Sequence, residues 1–218
     1  MVLRPEPGNA RTAERAASRG LDVMRLPLFA TCPLAWTPPD PDGFDAMLLT
    51  SAAAVRHAGP GLEALGRLPV VAVGRSTAAA ARAAGLTIAG TGESDVSAAL
   101  ALAHADGLTR LLHLAGRERM PDAPGVTAIA VYRSDPLPVA PGATRILAVG
   151  RTALLHSPRA ARRFAELIDR DTTPRAAVAV AALSPAVLAA AGAGWRETVV
   201  AERPTDAALL DLLAPRRD

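Results

Sequence analysis

No lysine occurs anywhere in the 218 residues, and cysteine and tyrosine occur once each, tryptophan twice and phenylalanine three times. All 24 basic residues are therefore arginine, which lifts the isoelectric point to about 10.2 although the formal net charge is only +3. A nucleic-acid binder would cluster arginine on one face and interleave aromatic rings to stack bases. Here arginine is scattered among 21 acidic residues, which argues against nucleic acid as a partner. The planar fork of arginine suits a small anionic ligand instead, one bearing carboxylates or phosphates. A lone Cys32 can form neither an intramolecular disulfide nor a cysteine-rich metal site, and the stretch Met1 to Glu6 lacks the basic and apolar segments of a secretory signal. Both point to the cytoplasm. With aromatics at 3% and half the residues hydrophobic, any core must be built from Ala, Leu and Val. One uncharged run, Ala176 to Trp195, is long enough for a membrane span. Its alanine content, its central Ser184-Pro185 and its Ala-Gly-Ala-Gly end predict a strand, a turn and a short buried helix instead.

Short β-favouring runs alternate with alanine-rich stretches, the pattern of an α/β chain built on mainly parallel sheets. Val2 to Arg4 reads as a strand, Gly8 to Arg19 as a helix closed by Gly20, and Asp22 to Leu26 as a second strand, which together make a βαβ unit. Leu28 to Asp42 then carries Pro33, Pro38, Pro39 and Pro41, which excludes helix. Tyr132 to Pro141 is a second break of the same kind. Between the breaks, strands are expected at Ala46–Thr50, Val70–Val73, Leu86–Ala89, Leu111–Leu114 and Val126–Tyr132, with helices over Ala52–Ala58, Ser76–Ala84 and a segment capped by Ser94 and running to Ala103. After the second break come strands at Thr152–His156, Ala176–Ala181 and Glu197–Ala201, helices over Pro158–Asp169 and Ser184–Ala191, and a last helix starting near Thr205. Leu48 to Arg56 answers Leu154 to Arg162, and Val70 to Gly85 answers Val178 to Gly194, so the halves read as repeats. The expectation is two similar parallel-sheet α/β domains: residues 1–30 with 142–218 as a discontinuous first domain, 38–131 as a second, and 31–37 with 132–141 as paired linkers.

Open α/β sheets bind ligands beyond the carboxyl ends of their strands, where loops lead into helix N-termini. Thr50-Ser51, His156-Ser157, Val73-Gly74-Arg75-Ser76-Thr77 and Leu183-Ser184-Pro185 all sit at such turns. Each Ser or Thr taken alone is an ordinary helix cap, but four such turns in matched domains suit a ligand with many carboxylates if the domains face one another. Leu114 to Arg119 ends a strand and can bring Gly116 and Arg117 to the same end, with a solvated charged turn as the plainer reading. Ala72 to Arg75 and Ala148 to Arg151 lack the spaced glycines of a dinucleotide loop, and no Walker motif occurs. His57, His104, His113 and His156 are widely spaced, with no set resembling a zinc site or a catalytic triad, and read as packed or surface residues. Tyr132, the only tyrosine, stands where the chain leaves the second domain.

In order along the chain, Arg4-Pro5-Glu6-Pro7, Leu49-Thr50-Ser51 with Val55, Ala72-Val73-Gly74 with Thr77, Val131-Tyr132-Arg133-Ser134, His156-Ser157-Pro158 with Phe164, Ser184-Pro185 and Glu202-Arg203-Pro204-Thr205 resemble the uroporphyrinogen-III synthase family over essentially the whole chain. The resemblance implies two α/β domains joined by a two-stranded linker. It also implies cyclisation of hydroxymethylbilane, a linear tetrapyrrole, without metal or cofactor. Loss of the terminal hydroxyl as water leaves an azafulvene-type cation. Ring D is attacked at its substituted carbon to give a spiro intermediate, which fragments and recloses with ring D inverted. Tyr132 matches the family's cleft tyrosine and is the candidate for assisting departure of the hydroxyl, and Thr77 matches a ligand-contacting threonine. The candidate substrate contacts are Arg4, Thr50, Ser51, Ala52, Gly74, Arg75, Thr77, Gly116, Arg117, Ser157, Pro158, Arg159, Ser184 and Pro185. Ala53 and Ala186 depart from the side chains the family often carries at those places. The expected partners are the bilane and, in transient contact, the upstream bilane-forming enzyme, and the chain is expected to be a monomer. A non-catalytic two-domain binding protein closing on a small anion by hinge motion shares this architecture, and a nucleotide-using α/β enzyme is disfavoured by the missing phosphate loop.

Overall fold

Strands and helices alternate through the computed structural model, which describes residues 1–92, 96–119 and 123–213. In chain order they are α1 (Gly8–Ala17), β1 (Phe29–Pro33), β2 (Ala46–Leu49), α2 (Ala52–His57), α3 (Gly61–Ala64), β3 (Val70–Val73), α4 (Arg75–Ala83), β4 (Ile88–Gly92) and α5 (Val96–Ala105). There follow β5 (Leu111–Gly116), β6 (Val126–Pro136), α6 (Ala143–Leu147), β7 (Thr152–Leu155), α7 (Pro158–Arg170), β8 (Ala179–Ala182), α8 (Pro185–Ala191), β9 (Glu197–Val200) and α9 (Asp206–Asp211). The chain divides into two units, Met1–Ala30 with Pro136–Asp218, and Thr31–Asp135.

In the unit assembled from both chain ends, β7, β8 and β9 pair in parallel. Two of these strands are buried almost throughout, the continuous apolar pattern of a parallel sheet covered on both faces. Helix α7 covers one face because Ala160, Ala161, Phe164, Ala165, Leu167 and Ile168 recur at helical spacing and are all buried. Phe164 stacks on Trp195 with ring centroids 5.8 Å apart. The opposite face packs Leu154 and Ala181 against Ala13 and Ala16 of α1 and Leu209 and Leu210 of α9.

The opening segment joins this sheet more sparingly than its composition suggests. Val2 bridges both Arg25 and Leu154 in parallel as isolated pairs rather than within full strands. Prolines at 5, 7 and 27 flank these stretches, and a proline has no N–H for a ladder. Hydrogen bonds from Leu154 N to Met1 O and from Leu26 N to Val2 O still attach the segment beside β7.

In the unit Thr31–Asp135 the sheet order is β1-β6-β5-β2-β3-β4, with parallel pairing from β6 through β4. Alternation along the strands sorts two cores. Met47, Leu49, Val70, Ala72, Leu112 and Leu114 pack with Ala54, Leu62 and Ala78 from α2, α3 and α4. Ala46, Leu48, Val71 and Leu111 pack with Ala99 and Ala103 of α5.

Several expectations need amending. Leu28 to Asp42 is not free of helix, since a 3-10 turn forms at Pro41–Gly43. Pro41 stands in its first turn, where no N–H is required, and the Asp40 carboxylate accepts from Asp42 N. The first proline-rich break also holds β1, a neighbour of β6 in the sheet. The expected strand Ala176–Ala181 begins with a 3-10 turn at Arg175–Ala177 and runs as β8 from Ala179. The apolar run 176–195 thus divides into turn, strand and helix α8, and no helix among the described residues is long and apolar enough to cross a membrane. Ser94, expected to cap α5, lies outside the described residues.

Candidate active site

The turns after the strands are built from caps. Ser51 Oγ accepts from Ala53 N at 3.1 Å, Ser157 Oγ from Ala160 N at 3.2 Å, and Ser184 Oγ from Val187 N at 3.4 Å. Pro158 and Pro185 follow at first helical positions, where a missing N–H is tolerated. Each capping hydroxyl keeps its own O–H as a donor. Gly74 differs. At φ 79° and ψ 153° it occupies backbone space open only to glycine, and its N–H is not free for an anion because it donates to Gly92 O at 2.9 Å. Arg75 beyond it is exposed, whereas Thr77 is 3% exposed and belongs to the buried face of α4.

At the carboxyl end of β2 and β5 a cavity of about 470 Å³ is lined by Thr50, Ser97, His113, Gly116, Tyr132 and apolar residues including Leu48, Leu100 and Val126. Glu118 and Arg119 stand at its charged side. Thr50 Oγ1 lies 3.1 Å from His113 Nε2, a pair made possible by the register that sets Leu48 beside His113. Next to the cavity the pairing of β6 is irregular: Ala130 pairs with Ala115 and then Tyr132 with Gly116, so one residue is skipped between the two pairs. The backbone carbonyl of Tyr132 accepts from Arg117 N at 2.8 Å. The Tyr132 ring meets His57 of α2 with centroids 6.1 Å apart. His57 in turn shares a 2.8 Å hydrogen bond between its Nε2 and Thr31 Oγ1. Burial, and then the neighbouring Arg56 cation, push the His57 pKa below its ordinary value.

Arg117 is exposed, with its guanidinium near Glu118 at 3.6 Å and Asp135 at 4.0 Å. Asp135 also receives Arg133 Nε at 2.6 Å.

In the other unit, the strand end after β7 is organised around Asp206, the first residue of α9. Its carboxylate accepts from Thr12 Oγ1 at 2.7 Å and Arg15 at 2.9 Å, lies 2.9 Å from His156 Nε2 and 3.6 Å from Arg4. Burial pushes the Asp206 pKa up, but the hydrogen bonds from His156, Thr12 and Arg15 outweigh it and hold the carboxyl well below the usual range. His156 Nδ1 is buried with no hydrogen-bond partner among the described residues. Arg4 also reaches Thr12 Oγ1 at 3.4 Å, and Arg159 lays its guanidinium 4.4 Å from the Phe29 ring centroid.

Of the residues singled out from sequence, Thr50, Gly116 and Tyr132 thus line one cavity, with Ser51 and Ala52 at the adjacent turn. Arg4, Ser157, Pro158 and Arg159 belong to the unit of β7, as do Ser184 and Pro185. Sequence reasoning passed over Ser97 and Asp206, and read His113 only as a packed or surface residue. His113 had a signal: at alternate positions to Leu112 and Leu114 it must face away from their core, on the side that Ala46, Leu48 and Thr50 share.

The profile of the family described as uroporphyrinogen-III synthase HemD matches residues 10–211. No curated protein sequence matches the chain. Among solved structures, uroporphyrinogen-III synthetase from Helicobacter pylori is similar at a TM-score of 0.62 and 15% identity, over 89% of this chain and 94% of that one. A mutant uroporphyrinogen III synthase from the extremely thermophilic bacterium Thermus thermophilus is similar at a TM-score of 0.55 and 16% identity, over 98% of this chain and 97% of that one.

Proposed function

Because the chain belongs to the uroporphyrinogen-III synthase family, a family of cyclising lyases in haem biosynthesis, we propose that its reaction is centred on Tyr132 and the cavity that Tyr132 shares with Thr50, His113 and Gly116. The substrate is hydroxymethylbilane. A pyrrole nitrogen lone pair expels the terminal hydroxyl, the C–O bond breaks, and the phenol of Tyr132 supplies the proton with which the hydroxyl leaves as water. The azafulvene-type cation then attacks the substituted carbon of ring D. The resulting spiro intermediate fragments, recloses with ring D inverted, and gives up a proton to the Tyr132 phenolate, which restores both the aromatic pyrrole and the phenol.

Departure assisted by so electron-rich a ring needs only a weak acid. The greater demand is orientation, because closure without guidance gives the symmetric type I isomer. Orientation of intramolecular partners can contribute about 7 to 11 kcal/mol. The substrate's carboxylates offer handles for that task, and the spare O–H groups of Ser51, Ser157 and Ser184 are suited to hold them. The matched turns Thr50-Ser51 and His156-Ser157, each closing a buried strand and capping a helix, support reading the two units as repeats of one α/β domain. The single thiol supports a cytoplasmic setting, and each unit's own hydrophobic core supports a monomer.

The observation that carries this reading is the convergence of Thr50, Gly116 and Tyr132 on one cavity at the strand ends. The test is incubation with hydroxymethylbilane followed by chromatographic separation of type I and type III products. Tyr132→Phe is expected to lower turnover by about a hundredfold, the low end of general-acid effects. Wild-type turnover in that variant removes Tyr132 from the reaction.

A further inference from the structure

We infer that Gly116 is a positioning residue for the reaction, whose missing side chain sets the place of the Tyr132 phenol. The inference rests on the reading of Tyr132 given above and deepens it. The backbone of Gly116 does not itself call for glycine, since its φ is not in the left-handed region occupied by the ten positive-φ glycines of the described chain. What calls for it is the phenol. A β-carbon added at Gly116 would lie 2.9 Å from Tyr132 Cζ and 3.0 Å from its hydroxyl oxygen, closer than carbon atoms pack.

The strand register explains this proximity. In a parallel pair, residues opposite one another point to the same face. Regular pairing after Ala115 and Ala130 would set Val131 opposite Gly116. The skipped residue sets Tyr132 there instead, so the ring swings onto the face of Gly116, where Val131 and the ring of His57 also lie. A bulge that redirects one side chain beside a reaction centre is a recurrent use of such irregularities. The hydrogen bond from Arg117 N to Tyr132 O, 2.8 Å long, resumes the ladder and pins the shifted register. Gly116 thus forms a floor, His57 a wall, and the phenol keeps one placement against the cavity that both Gly116 and Tyr132 line.

Gly116→Ala tests this, and the single tyrosine makes the phenol directly observable by ultraviolet difference titration. The variant is expected to shift the midpoint of that titration and to lower kcat about tenfold to a hundredfold, the range for a displacement near 1 Å, with KM changed less than about twofold. In a Tyr132→Phe background the same substitution is expected to have little further effect on kcat. A Gly116→Ala enzyme with wild-type kcat and titration overturns the inference, and so does an equal loss in the Tyr132→Phe background. If Tyr132→Phe alone keeps full turnover, the catalytic reading of Tyr132 fails, and the titration alone then judges Gly116: no shift overturns its positioning role. Should Gly116→Ala not fold, the double variant with Tyr132→Ala is expected to fold because the clashing ring is gone. Failure of that variant too would show that the obstruction is not Tyr132.

Discussion

Asp206 illustrates how much a single residue can organise, since Thr12, Arg15, His156 and Arg4 all converge on its carboxylate. A carboxyl whose folded pKa lies below its ordinary value of 3.8 adds stability that is complete above that value and fades as pH falls through the folded one. Melting temperatures followed from about pH 5 to pH 3 should therefore fall more steeply for the native chain than for Asp206→Asn. Equal slopes would mean that the cluster does not hold its proton off. His156→Ala leaves the charge without one partner and should destabilise the fold by roughly 1 to 3 kcal/mol, read by denaturant midpoint. The sequence concealed this cluster because Thr12 and Asp206 stand 194 positions apart, and no local pattern links them. Tyr132 was singled out by being the lone tyrosine, but its placement over Gly116 was not foreseeable, since a skipped residue depends on which strand lies alongside. His113 was within reach through simple alternation along β5.

Elements bounded by strong local chemistry were readable. The run Val70–Val73 forms β3 as expected, because four branched or small apolar residues between Pro69 and Gly74 leave little alternative. Ser157 followed by proline and an apolar stripe marks the start of α7 in the sequence itself. Short pieces were harder: α3 and α6 are too brief for a periodic signal and owe their existence to packing. Ser157→Ala removes the bond to Ala160 N and should lower stability by about 1 kcal/mol. It should also raise KM for the bilane more than it lowers kcat, and Thr50→Val and Ser51→Ala should behave alike in the same assay. A pure kcat loss in all three would move these hydroxyls from substrate holding to chemistry.

For the molecule as a whole, each unit keeps its own hydrophobic cores: Phe164, Ile168 and Trp195 serve one, Met47, Leu65 and Leu112 the other. Phe164→Ala should therefore weaken the unit containing α7 by about 3 to 5 kcal/mol. Hydrogen exchange should report faster opening at Leu154 and Val180 with little change at Leu48 and Leu112, and equal acceleration at both pairs would show that the units unfold as one. The division of the chain also bears on synthesis. The stretch Thr31–Asp135 is continuous, so it is synthesised in full before the C-terminal part of the other unit, Pro136–Asp218, is made. Val2 must meanwhile wait for Leu154, its neighbour across the sheet. The first thirty residues are translated first and are among the last to find their place.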